Sequence, residues 1–333
     1  MKRKFTVVDL FSGVGGLSLG FEQEGMKIVL ANDNDPDAAA TFKKNHPKVN
    51  FHEDQIQTLD KKKLKSILKD TEIDILVGGV PCQSFSMKGP RRTNPTNPDS
   101  RDFLFKEFLR ITGILKPKVA VIENVTGILS SRNGKIKDTI IEDFLKLGYK
   151  VDYKLVNAAE YGVAQLRKRV LFIASRLSGD IIFPIPTHSE ENFVGVNDVL
   201  KDPPTINHDP KKLQGKTLQR VKMIKPGQNW KSLPKELQTG SIHSGSYGRL
   251  DPKKPAYTLT TRFDTPPGGY VTHPFEDRAI TVREGARIQS FPDDFEFVGK
   301  RISQYRQVGN AVPVKLSNAL AKSIKKMLIK NEE

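Results

Sequence analysis

The chain reads as an α/β protein built on a doubly wound, mostly parallel sheet, with a second, smaller, loop-rich domain. Two observations predict this. In the first half, apolar runs of strand length alternate with amphipathic segments of helical period. From about Phe183 the texture changes to proline, glycine, threonine and histidine with little period.

Taken in order, "FTVVDLF", "KIVLAND", "VNFHED", "DILVGGV" and "VAVIENV" read as buried strands. Helical patterns separate them over residues 17–24, 36–45, 61–68, 103–115 and 135–147, and "KLGYKVDYKLVNA" and "RVLFIASR" supply two later strands. Strands alternating with helices in this order place ligands beyond the carboxyl ends of the strands. The segments "FPIPTHSEENF", "KDPPTINHDP" and "TRFDTPPGGYVTHP" mark the loop-rich part. Helical pattern returns in "TVREGARIQSF" and in "PVKLSNALAKSIKKMLIK", whose apolar positions suit a helix lying on the sheet. The expected division is 1–177, 178–282 and 283–333, the last segment returning to the first domain. No internal repeat is visible.

Composition narrows the classes. A hydrophobic content of 37% with 28% charged residues, and no apolar stretch long enough to cross a bilayer, excludes a membrane-embedded role. The balance of 54 Lys+Arg against 38 Asp+Glu leaves a formal charge of +16 and predicts a polyanionic partner. One cysteine forms no internal disulfide, and the start "MKRKFTVVDLF" lacks the apolar core of a signal peptide, so a reducing cytosol is expected.

In "DLFSGVGGLSLGF" the first strand runs into Gly13, Gly15 and Gly16 and then into a helix, so backbone can approach a ligand at a helix N-terminus. The spacing is not that of the dinucleotide pattern. The next strand ends "ANDND", placing Asp33 about 20 residues further on, where an acid accepts hydrogen bonds from ribose hydroxyls. In "HEDQ", Asp54 is suited to an adenine amino group. Together these suggest an adenosine-containing cofactor without distinguishing nicotinamide from S-adenosylmethionine. Cys82, the single thiol, follows the fourth strand and precedes a long polar stretch, "QSFSMKGPRRTNPTNPDSR". A buried cysteine would not need that loop. Glu123 in "IENV" is directed at the same crevice, and "QLRKR" offers Gln165, Arg167 and Arg169 in alternation before another strand.

With "DLFSGVGGLSLGF", "PCQSFS", "ENV", "QLRKR", "TVREGARIQSFPD" and "QVGNAVP" in this order, the chain resembles the DNA (cytosine-5)-methyltransferase family of prokaryotic restriction-modification type. The resemblance implies a Rossmann-like S-adenosylmethionine-dependent methyltransferase sheet and a target-recognition domain. It implies that Cys82 attacks C6 of a flipped-out cytosine in double-stranded DNA, that Glu123 holds N3 and the exocyclic amine, and that C5 takes the methyl group. Arg167 and Arg169 match the positions that steady the thiolate and contact the base or its backbone.

The same resemblance assigns S-adenosylmethionine to Phe11, Gly13, Gly15, Gly16 and Leu17, to Asp33, Asn34, Asp54 and Gln55, to Pro81 and Leu104, and to Asn310, Ala311 and Val312. DNA contacts are expected from Gln83, Ser84, Ser86, Lys88, Arg91, Arg92 and Arg101, from Gln165, from Arg249 in "GSYGRL", and from Thr260, Thr261 and Arg262 in the Thr-Leu element "TLTTRFDTPPGGY". No metal is expected, because the chain lacks a His and Cys ligand cluster. A monomer that acts alongside a restriction endonuclease without stable binding is implied. The nearest rival is a tRNA cytosine-5 methyltransferase on the same framework, against which the long segment between "QLRKR" and "TVREG" argues. Val80, Asp33 and Asp102 depart from commoner choices at their positions, and Asn34 stands where a larger apolar residue often covers the adenine. None removes a reacting group.

Overall fold

A computed structural model of the chain describes residues 3–81, 104–240 and 244–332. β1 (Thr6–Leu10), α1 (Gly16–Gln23), β2 (Lys27–Asn32), α2 (Pro36–Asn45), β3 (Asn50–His52), α3 (Lys61–Leu68), β4 (Ile75–Gly79), α4 (Leu104–Leu115) and β5 (Val119–Val125) follow one another in the expected alternation. α5 (Lys135–Lys146), β6 (Lys150–Asn157), the short β7 (Gln165–Leu166) and β8 (Lys168–Ser175) complete the first part. Local chemistry sets several boundaries. Asp35 accepts from the N–H groups of Asp37 and Ala38 at the start of α2, with Pro36 in the first turn, and Asp60 accepts from Lys63 N at the start of α3.

The strands form one seven-stranded sheet in the order β3-β2-β1-β4-β5-β8-β6. β3, β2, β1, β4 and β5 pair in parallel, and β8 runs antiparallel to both β5 and β6. The direction in which strands are added reverses between β1 and β4. Such a switch opens a crevice at the carboxyl ends of the two strands, and Gly13 and Pro81 follow those ends.

Both faces of the sheet are covered over β2, β1, β4 and β5, which is why these parallel strands read as continuous apolar runs. Alternate residues point to opposite sides: Val8, Leu76 and Ile122 meet Leu64, Phe108 and Ile140 on one face, while Val7, Ile75 and Val121 meet Phe21, Leu320 and Ile324 on the other. Each of these fully buried side chains stabilises the fold by about 1.5–3 kcal/mol.

The second half contains α6 (Val196–Leu200), α7 (Gly215–Met223), β9 (Gly248–Arg249), β10 (Ala256–Tyr257) and β11 (Tyr270–Thr272), then α8 (Val282–Ile288), α9 (Arg301–Asn310) and α10 (Val314–Glu332). Among the described residues its strands pair only in twos, β10 with β7 and β11 with β9. Leu250, Leu259, Phe263 and Ile280 share a core with Val282, Phe291 and Val308, and that core also takes in Val14 and Ala38. α10 then returns to α1. At Gly20 a Cβ would stand 2.4 Å from Ser317 Cβ, so the two helices close to backbone contact, and Ser317 Oγ donates to Leu17 O at 2.7 Å.

Candidate active site

The crevice begins where β1 gives way to a turn with Phe11, Gly13 and Gly15 at φ 55°, 53° and 94°. This left-handed backbone favours glycine at two of the three positions. Asp33, beyond β2, fixes the turn: Oδ2 accepts from Gly13 N at 2.8 Å and Oδ1 from Asp35 N at 2.9 Å. Burial pushes its carboxyl up from the ordinary range. Each oxygen keeps a second lone pair for a hydroxyl donor.

Beyond β3, Asp54 is exposed, and its backbone carbonyl accepts from the buried Asn32 side chain at 2.8 Å. Asn34 and Gln55 are exposed on the same rim, and Pro81 and Leu104 are half-buried on either side of residues 82–103. Ala311 and Val312 are buried and Asn310 is exposed. A Cβ on Gly16 would fall 2.3 Å from Val312 O, so the "NAVP" segment closes directly on the start of α1 beside Leu17. The expected donor-site residues of the first and last segments are thus brought together.

At the other side of the crevice Glu123 lies near the carboxyl end of β5, in register with Gly79 of β4. The carboxylate lies directly over Gly79, its Oε2 3.7 Å from where a Cβ would stand, an ordinary contact distance. Arg169 reaches across from β8 and places Nε 2.9 Å from Glu123 Oε1, with both side chains about nine-tenths buried. Cys82 follows β4 within three residues of Gly79 but lies outside the described residues, as do Gln83, Ser84, Ser86, Lys88, Arg91, Arg92, Arg101 and Asp102.

The three alternating side chains of "QLRKR" serve different partners. Only Arg169 meets Glu123. Arg167 is turned inward, donating to Leu259 O at 3.3 Å and Gly309 O at 3.0 Å. Burial, and then Arg169 beside it, pushes its guanidinium well below the ordinary value, and its Nε finds no partner among the described residues. Gln165 is wholly buried, bonded to Gln289 and Leu259. Its side chain faces inward from β7, and both ends of its amide are taken by these partners.

Arg249 is also turned inward. It is 4% exposed, and its guanidinium donates to Ile224 O at 2.6 Å, Val221 O at 2.7 Å, His273 O at 3.0 Å, Glu276 O at 2.9 Å and Asp277 Oδ1 at 2.7 Å. With all its donors occupied it clamps the loop-rich part together. Thr260 and Arg262 are exposed and Thr261 half-buried, with Arg262 Nε 3.0 Å from Asp264 Oδ1. Sequence reasoning missed Gln289, hidden in an ordinary helical pattern, and Tyr257, which is 56% exposed and stacks on Tyr270 at 4.5 Å between ring centroids. Among the described residues no group of three His, Cys, Asp or Glu side chains is placed to hold a metal, and no helix is long and apolar enough to cross a membrane.

A parallel sheet with a glycine-rich turn and an acid after its second strand, and a buried carboxylate-arginine pair beside the fourth, defines a methyltransferase-type site. The chain belongs to the C-5 cytosine-specific DNA methylase family, whose description matches residues 5–326, and it is a DNA cytosine-5 methyltransferase. It is 38% identical over 332 residues to the Type II methyltransferase M1.HphI of Haemophilus parahaemolyticus, covering 97% of this chain and 87% of that one. It is also 38% identical to M.NgoFVII of Neisseria gonorrhoeae, with 98% and 88% covered. Among solved structures, a prophage-encoded candidate DNA modification methyltransferase from E. coli superposes with a TM-score of 0.77 at 25% identity, over 98% of this chain and all of that one. The Dnmt2 methyltransferase of S. pombe, at 18% identity and a TM-score of 0.70 over 98% and 99% of the two chains, shares the fold.

Proposed function

We propose that this enzyme transfers a methyl group from S-adenosylmethionine to C5 of a cytosine flipped out of duplex DNA, with Cys82 as the nucleophile. The observation that carries the reading is the Glu123–Arg169 pair, which sits beside the carboxyl end of β4, from which Cys82 follows directly. S-adenosylmethionine supplies an electrophilic methyl group. Its site fits the residues present: Asp33 retains lone pairs for ribose, Asp54 is exposed at the rim, and at Gly13, where a Cβ would meet nothing within 4 Å, the backbone is open to a ligand.

C5 of cytosine is a poor nucleophile until a group adds at C6. The electron pair of the Cys82 thiolate forms the bond to C6, the C5–C6 π pair shifts to C4–C5 to give an enamine, and the C4–N3 pair moves onto N3. Glu123 accepts from the exocyclic amine and delivers a proton to N3 as negative charge develops there. Once C5 has taken the methyl group and the donor is left as S-adenosylhomocysteine, the C5 proton passes to water, its electron pair reforms the C5–C6 double bond, and the Cys82 thiolate departs with the pair of its bond to C6. Arg169 keeps the Glu123 carboxylate in place. Arg167 acts on the base only through the segments it joins.

DNA phosphates would meet the basic surface, while bases would be read by residues 178–282, with Thr260, Thr261 and Arg262 on the exposed loop. In this reading residues 1–177 and 283–333 perform the chemistry. The chain works as a monomer beside a restriction endonuclease that it does not stably bind. The test is tritiated S-adenosylmethionine offered with duplex DNA and with tRNA in parallel, using the unaltered protein and Cys82→Ser. Label in DNA with the unaltered protein alone is expected. Label in tRNA, or full activity of Cys82→Ser, overturns the reading.

A further inference from the structure

Where the sheet, the loop-rich part and the returning C-terminal segment meet, a buried chain of hydrogen bonds runs in one direction. Leu259 N donates to Gln165 Oε1 at 3.0 Å, and Gln165 Nε2 donates to Gln289 Oε1 at 3.0 Å. Gln289 Nε2 then donates to Val308 O at 2.8 Å and Ala311 O at 3.3 Å. Both glutamines are fully buried. A backbone N–H at one end can only donate and the carbonyls at the other can only accept, so the orientation of both amides is forced.

Two close approaches extend this chain at its ends. A Cβ on Gly309 would lie 2.4 Å from Thr260 O, so the exposed loop and the C-terminal segment touch backbone to backbone. At the far side Ala311 leads into Val312, whose carbonyl abuts Gly16 at the glycine-rich turn. Any shift of residues 259–261 relative to residues 308–312 breaks a link and leaves a buried amide unsatisfied. The exposed loop and the turn therefore move together.

We propose that Gln165 and Gln289 are positioning residues that couple DNA at the 259–261 loop to the affinity of the methyl-donor site. The inference rests on the proposed function, which puts DNA at one end of the relay and S-adenosylmethionine at the other. DNA that orders the loop orders the donor turn in advance, so each ligand tightens the other by the same factor.

The test is calorimetric titration of the full chain with S-adenosylhomocysteine, with and without a long mixed-sequence duplex, for the unaltered protein, Gln165→Met, Gln289→Met and the double variant, with thermal unfolding measured in parallel. The unaltered protein should bind more tightly when DNA is present. Each single variant should bind about tenfold more weakly, as expected for one unsatisfied buried group, and lose the DNA-dependent gain. The double variant should be no worse than the singles, because the link is already cut. Folded variants that keep the same ratio with and without DNA overturn the coupling. If the methionine variants fail to fold, Gln289→Glu, which keeps the volume and the bond from Gln165 while removing donation to Val308 and Ala311, must lose the ratio instead, and a retained ratio overturns the proposal. Unchanged affinity on adding DNA to an active unaltered protein overturns the coupling and leaves the proposed function standing. Absence of any S-adenosylhomocysteine binding by the unaltered protein overturns the donor reading, and the coupling with it.

Discussion

Arg169 Nε stands 2.9 Å from Glu123 Oε1, across neighbouring antiparallel strands in which Arg169 is in register with Val125. It is an ion pair without an aligned hydrogen bond, since Glu123 Oε1 has no hydrogen-bond partner. The carboxylate is thereby held in a mostly buried site while lone pairs remain for a substrate. Glu123→Gln, which cannot pass a proton to N3, should lower kcat about 10²- to 10³-fold, within the scale of losing a general acid. Arg169→Ala should lower kcat too, and Arg169→Lys should recover part of it. Steady-state kinetics with saturating donor checks this; an Arg169→Ala enzyme of normal kcat would contradict it.

Asp33 ties the glycine-rich turn to the end of β2 and faces the donor site. Asp33→Ala should weaken S-adenosylmethionine binding by roughly 1.5–3 kcal/mol for each charge-assisted hydrogen bond lost. Asp33→Asn can still accept from Gly13 N with its amide oxygen and should fall between the two. Calorimetry reads both, and unchanged dissociation constants would misplace the ribose.

Gly16 has no room for a side chain, because the nearest atom is the Val312 carbonyl and not a flexible side-chain end. Gly16→Ala should push the "NAVP" segment off the turn, costing about 1–3 kcal/mol of stability as overpacking does. Donor binding should weaken with it. Equal unfolding temperatures for variant and unaltered protein would show that the two segments do not close as described.

Asp9 lies wholly buried in β1, with Oδ2 accepting from Ser18 Oγ at 2.7 Å and Oδ1 unpartnered among the described residues. Burial pushes its carboxyl up to about 7. The folded state therefore holds a proton that the unfolded state gives up near pH 4. Stability falls as pH rises from there through about 7 and then levels off. Asp9→Asn, neutral at every pH and still able to accept from Ser18, should unfold at a higher temperature than the unaltered protein at pH 8, with a smaller gap at pH 5. Parallel melting curves at the two pH values check the sign.

Much of this was legible in the sequence for a physical reason. β1, β2, β4 and β5 are buried on both faces, so their apolar runs stand out between amphipathic helices, and α2 and α3 begin at aspartates that cap them. α9 was not expected because "RISQYRQVGN" carries no clean apolar stripe. Its Gln307 is buried through hydrogen bonds to Thr41 and Val298 instead. α6 and α7 were hidden by their proline- and glycine-rich surroundings. At the site, residue types announced chemistry but not partners. Arg249 and Gln165 carry the donors of a DNA-reading surface, and the fold uses those donors internally, a choice made by tertiary contacts between segments far apart in the chain. Arg169 was separated from Arg167 only by the strand register.

The central claim is covalent addition of Cys82 to C6 of cytosine in DNA. Duplex DNA carrying 5-fluorocytosine tests it most directly, because fluorine cannot leave C5 as a cation after methylation and the enzyme should be held on the base. The chain has one cysteine, so mass spectrometry of the digested complex has a single thiol peptide to find. We predict a methylated 5-fluorocytosine nucleotide bonded to the peptide containing Cys82, formed only when S-adenosylmethionine is present. Methylation of ordinary duplex DNA by the same preparation with no adduct on 5-fluorocytosine DNA, or an adduct at any other residue, would contradict the account.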